Sequence, residues 1–241
     1  DELFTGWMLL SYRKPVGASS VRDTFPAANV TDENRQSFWV AQSNAPEEWL
    51  QIDLQREYTV KAMQVNFIDY RSGIFANDST VYTRFRIRAS RDGRVWETIA
   101  DLSAETRDRP NAYIELPTPA RARYIRYEHG YLGAANLAIG DIRIFGNGEG
   151  RGPATPRGLT ARRDTDRRNA FVSWSRVPGA VGYNILWGIR PNKLYQTYQV
   201  FADRPMPLEL RALTVDQEYW VAIEAFDESG VSRPSAPIPV R

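Results

Sequence analysis

Within six residues the chain sets three oxygen donors, Asp32, Asn34 and Ser37, with Asn29 just upstream. Oxygen side chains this closely spaced suit a hard cation such as calcium, which takes six to eight oxygens at about 2.3–2.6 Å. The same residues equally suit an ordinary turn in which they bond their own backbone. A second set suits a sugar. Arg71 and Asn77 share one loop with Tyr70 and Phe75 beside them; together they offer planar groups for vicinal hydroxyls and flat rings for the apolar side of a pyranose. A third set lies in residues 129–136, HGYLGAAN, a loop that contains Tyr131. His129, the only histidine, is either a sugar contact or a hydrogen-bonded structural residue.

Catalysis finds little support. With no cysteine and one histidine, cysteine–histidine chemistry is excluded, and a serine–histidine–acid triad would need His129 and a serine that no motif picks out. Paired carboxylates across a cleft, as glycosidases use, match neither half of the chain. The sequence is therefore expected to be noncatalytic, and no glycine-rich phosphate loop precedes a helix.

The elements that must position these residues are strands. Alternating runs at 58–67, 82–89, 112–116, 124–127 and 138–145 are rich in Ile, Val, Tyr and Phe and are separated by turn signals such as Arg91-Asp92-Gly93. No amphipathic helix of three turns is present. After a glycine- and proline-rich stretch, GNGEGRGPATP, seven more strand candidates follow, from GLTARRD to SAPIPVR. The chain thus reads as all-β in two domains: residues 1–147, a linker at 148–155, and residues 156–241 as a seven-stranded sandwich.

Composition bounds the rest. Of 241 residues, 42% are hydrophobic and 25% charged, which excludes disordered and membrane-spanning classes. The opening DELFTGWMLLSY has neither the basic flank nor the apolar length of a signal or anchor, and is expected to be a first strand entered from an upstream segment. Without cysteine there is no disulfide framework, which fits a bacterial product. The part up to Gly150 holds 18 basic and 20 acidic residues, the remainder 13 and 9, and neither carries the basic stripe of a nucleic-acid binder.

The stretch ANVTDENRQSFWVAQSNAPEEWLQIDL, with SRDGRVWETIADL, ARARYIRYE and AIGDIRIFG in the same order, resembles the coagulation factor 5/8 type C (discoidin) domains, which include family 32 carbohydrate-binding modules. The resemblance covers roughly residues 14–147 and implies a jelly-roll β-sandwich. It also implies a structural calcium ion held at the Asp32 turn, with Asp141 standing where the family has a glutamate. Sugar contacts are implied at the loops of Arg71, Asn77 and Tyr131. Galactose-binding members carry a histidine just after the first tryptophan, where this chain has Val40, Ala41 and Gln42.

Residues 156–241 are similar to fibronectin type III domains, with Trp174 at the core tryptophan and Tyr219, six residues after Leu213, at the tyrosine corner. The opening LFTGWMLLSYRKPVGASS resembles the joint before the accessory module of family 43 glycoside hydrolases. The expectation is an extracytoplasmic bacterial accessory region that follows a catalytic domain and binds a plant cell-wall or host glycan. The alternative is a structural module packed on that domain without binding sugar. Membrane attachment through Ile74 and Phe75 is disfavoured because Asp69, Arg71 and Asp78 surround them.

Overall fold

Alternation of apolar and polar residues becomes strands in both halves of the chain. The structure, a computed structural model, describes residues 6–71, 73 and 81–241. Two units separate, Trp7–Gly148 and Glu149–Arg241. The 3-10 turn Ala27–Thr31 is the one helical element among the described residues.

The first unit is a jelly-roll sandwich built from β1 (Met8–Leu9), β2 (Val16–Ala18), β3 (Trp39–Val40), β4 (Trp49–Phe67), β5 (Thr83–Ser90), β6 (Glu97–Asp101), β7 (Asn111–Leu132) and β8 (Ala138–Asn147). All pairings are antiparallel, in the order β1-β8-β4-β7-β5-β6, with β2 on β4 and β3 on β8. Leu50, Ile52 and Leu54 of β4 face Ile125 and Tyr127 of β7 and Phe85 and Ile87 of β5 in the core. Full burial of each such side chain contributes about 1.5–3 kcal/mol. Trp39 is wholly buried, and its indole N–H donates to Ser20 O at 2.9 Å.

Two strands are longer than the sequence runs suggest. The runs at 112–116 and 124–127 belong to one strand, β7, which passes through Pro117-Thr118-Pro119. The β4 ladder skips that stretch: Val60 pairs with Ala120 and Ala62 with Glu115, so neither proline must donate to β4. A further register shift falls between Asp53 and Tyr58. Such bulges bend a strand, and here they carry β4 and β7 past the points where the alternation breaks.

On the outward side of this sheet Arg126 lies between two indoles, 5.0 Å from Trp49 and 4.4 Å from Trp96, while its guanidinium donates to Gln51 Oε1. Trp49 thus covers the sheet face.

The second unit pairs two sheets. One has the order β13-β10-β9, from β9 (Arg157–Arg163), β10 (Ala170–Ser175) and β13 (Leu208–Leu210). The other runs β12-β11-β14, from β11 (Gly182–Gly188), β12 (Gln196–Phe201) and β14 (Trp220–Asp227), with β15 (Gly230–Val231) and β16 (Ile238–Pro239) also on β14. Trp174 and Tyr183 meet edge to face at 5.1 Å in the core, beside Ile185, Val221 and Ile223. The Tyr219 hydroxyl accepts the Thr214 N–H at 3.2 Å and so pins the chain entering β14. Within this unit the glycine-rich stretch lies against the β14–β15 hairpin, where Thr155 Oγ1 donates to Arg233 O at 3.0 Å.

Candidate functional site

One end of the first unit gathers the loops before β3, after β4 and before β8. They are joined by a single side-chain amide. Asn136 Nδ2 donates to Arg71 O at 3.0 Å and to Tyr70 O at 3.4 Å, and its Oδ1 accepts from Arg22 Nη1. Arg22 in turn donates through Nη2 to Gln42 O at 2.8 Å, and its own N–H bonds Val40 O. Because Arg22 and Asn136 stand 114 residues apart, this knot exists only once the sandwich has closed.

On the knot sits a cluster of half-buried rings. Phe25 stacks on Phe38 at 4.8 Å, and Tyr70 packs against Phe25 at 4.9 Å and Phe38 at 5.6 Å. Contacts of this kind add about 0.5–1.5 kcal/mol each beyond burial. Arg71, exposed and held in the left-handed region at φ 44°, places its guanidinium 5.4 Å from the Tyr70 ring. It makes no ion pair among the described residues. The Gln42 amide donates to Val21 O at 2.9 Å and is exposed at the same end. A planar cation and an amide thus border an aromatic floor. Arg71 and Tyr70 come together as the sequence suggests; Asn77 and Phe75 lie outside the described residues.

Tyr131 faces Tyr82 at 4.7 Å, with Arg84 over both rings at 4.9 and 6.0 Å. That part of its ring surface is covered by its neighbours. His129 is 4% exposed and lies inside the sandwich. Its Nε2 meets Asn44 Oδ1 at 2.8 Å and its Nδ1 meets the Tyr127 hydroxyl at 2.9 Å. Asn44 Nδ2 donates to Leu132 O and Ala134 O, so its oxygen must accept from Nε2–H; the Tyr127 hydroxyl then donates to Nδ1. This chain of bonds is that of the neutral imidazole. Burial lowers the His129 pKa to about 4, with Glu48 opposing weakly. The histidine therefore holds Asn44, which in turn bonds Leu132 O and Ala134 O.

Glu48 is the second buried fastening, 6% exposed. Its carboxylate accepts from the Ser19, Ser20 and Ser43 hydroxyls and from the Ser43 N–H. Burial pushes its pKa up, yet these four donors hold it below the ordinary carboxylate value.

The oxygens at the Asp32 turn are engaged with one another. Asp32 accepts from Asn34 N at 2.8 Å and Ser37 Oγ at 2.7 Å, Asn34 Oδ1 accepts from Gln36 N, and Asn29 Nδ2 donates to Phe38 O. Glu33, beside them, receives Arg143 Nε at 2.9 and 3.0 Å. Since Arg143 belongs to β8, this ion pair already ties the turn to the last strand. Open acceptors lie instead on the strands: Asp141 Oδ1 and Asn66 Oδ1 are buried without a hydrogen-bond partner, although Asn66 Nδ2 reaches Asp141 Oδ2 at 3.2 Å. Two oxygens, with the Arg143 guanidinium 3.9 Å from Asp141 Oδ2, are fewer than the six to eight that a calcium ion takes.

Sequence reasoning missed Phe25, Phe38, Arg22 and Asn44. Phe38 was visible only as a neighbour of the core Trp39, and the partners of the other three are set by the tertiary fold.

Residues 15–130 match the family model for the F5/8 type C domain. Chitosan-binding module 2 of a Paenibacillus sp. IK-5 chitosanase/glucanase, solved with chitotriose, is 18% identical with a TM-score of 0.49, covering 57% of this chain and 99% of that one. Module 1 of the same enzyme is 19% identical with a TM-score of 0.48, covering 58% and 99%. The family 32 carbohydrate-binding module of Clostridium perfringens NanJ, solved with galactose, is 17% identical with a TM-score of 0.48, covering 58% and 98%. No curated protein matches the chain.

Proposed function

We propose that the first unit is a carbohydrate-binding module whose site is the loop end around Arg71. One observation carries the reading: an exposed guanidinium without an ion-pair partner among the described residues borders a floor of three aromatic rings, fixed from beneath by the Asn136 knot. The F5/8 type C match over residues 15–130 supports it. In this reading Arg71 pairs with two hydroxyls of one sugar, and an aromatic ring meets the apolar face.

The chain is the accessory region of an extracytoplasmic bacterial polysaccharide-degrading enzyme, with the catalytic domain upstream. Weak binding to glycan holds that domain at high effective concentration near its substrate. The second unit is a fibronectin type III spacer, a reading supported by its two sheet orders, the buried Trp174 and the Tyr219–Thr214 bond. A structural calcium ion is held between the Asp32 turn and Asp141, whose Oδ1 has no hydrogen-bond partner. Calcium is expected to raise the melting temperature, and an Asp141→Asn variant to lose that rise; equal melting of the wild type in calcium and in chelator would remove the ion from the account.

A second reading has one observation in its favour. Phe25, Phe38 and Tyr70 cover one another, as do Tyr82 and Tyr131, which suits a structural module that packs on the catalytic domain and binds no sugar. A glycan array of arabinan, arabinogalactan, xylan and galactosides, with and without calcium, separates the two. Retention on one glycan class is expected; silence from a folded sample favours the structural module.

A further inference from the structure

The second unit leaves one side of its sandwich open. β12 ends the order of one sheet and β13 ends the order of the other, so among the described residues each has an unpaired ladder edge. Residues 194–202, LYQTYQVFA, contain no charge and no proline. Edge strands are ordinarily blunted by such residues, because a bare edge templates another strand.

The side chains show what such a strand would meet. Residues opposite one another in an antiparallel pair share a face. Tyr198 is paired with Ile185, which is wholly buried, so Tyr198 points into the sandwich, yet it remains 41% exposed. It opens onto a groove of about 790 Å³ with Trp187, Leu208, Leu210 and Pro207 on its apolar walls and Arg204, Glu209 and Arg211 at its margin. Ile189 and Tyr195, before the strand, are 47% and 82% exposed. An added strand would therefore find backbone partners on its edge and a part-apolar groove for side chains on its inward face.

Charge selects the occupant. Arg190 and Lys193 precede the strand and Arg204 follows it; all three are exposed and without an ion pair among the described residues. Arg176 lies at the Arg204 end, donating to Ala202 O and Arg204 O, while Asp203 is the adjacent carboxylate. Arg211 is already held by Glu209 at 2.6 Å. A second copy in antiparallel register would bring Arg190 and Lys193 against Arg204 and Arg176, a like-charge meeting. We infer that β12 is a strand-addition site for an extended polypeptide segment that alternates apolar residues and carries carboxylates at its ends.

The test uses the full chain and two synthetic peptides with the same alternating valine–threonine core, one ended in glutamates and its twin in lysines. The glutamate peptide is expected to slow amide exchange across 196–201 and to bind about tenfold more tightly than the twin at low salt. Tyr198→Lys is expected to abolish the protection, with the melting temperature of the variant measured alongside so that lost binding is told from lost folding. Equal binding of the twins, absence of protection, or protection that instead follows protein concentration through self-association would each overturn the inference.

Discussion

Glu48 and Arg71 are both charged groups that serve loops of the first unit, and they stand in opposite conditions. Glu48 is buried, and four donors fill its carboxylate. Arg71 is exposed, with the Tyr70 ring beside its guanidinium and no ion pair among the described residues. A buried charge is costly unless its bonds are satisfied, so a filled group such as Glu48 is one that the fold needs. An exposed group held in place with bonding capacity to spare is one that a ligand can use. The distinction predicts that damage at the filled groups appears as lost stability, and damage at Arg71 as lost binding.

The largest stability effect is expected from Glu48→Ala, which strands three serine hydroxyls and an amide and costs about 3 kcal/mol, read from urea unfolding. A loss below a few tenths of a kcal/mol would erase the contrast.

His129 comes next, through pH. Its pKa falls from 6.5 when unfolded to about 4 when folded, so the unfolded chain binds more protons between those values. Its contribution, up to about 3 kcal/mol, is complete above pH 6.5 and is lost as pH falls towards 4. Unfolding titrations should show that slope, and His129→Gln should flatten it.

Asn44→Ala sharpens the comparison at a smaller scale. It frees Leu132 O and Ala134 O and leaves His129 Nε2 without its acceptor, with an expected loss of about 2 kcal/mol. Amide exchange should quicken across 132–136 more than elsewhere in the unit.

The fold was legible in the sequence where spacing is local. Alternation marked strands of the second unit such as β10, which buries one face, and Trp174 and Tyr219 stand in the core as their positions suggested. The lengths of β4 and β7 were hidden, since bulges break the period within one strand. At the site, Arg71 and Tyr70 were visible as a local pair. The Arg22–Asn136 knot, Glu48 with its serines and Asn44 beneath the loop join residues that only the closed sandwich brings together. His129 could not be assigned from type alone, because a sugar contact and a buried hydrogen-bonded residue use the same imidazole, and only burial separates them.

The most direct test is glycan retention and thermal melting of wild type and Arg71→Ala, measured side by side on the glycan class that the wild type retains. The account predicts that Arg71→Ala abolishes retention and changes stability by less than about 0.5 kcal/mol. Undiminished retention in the folded variant would contradict it, because the open guanidinium would then have no part in binding.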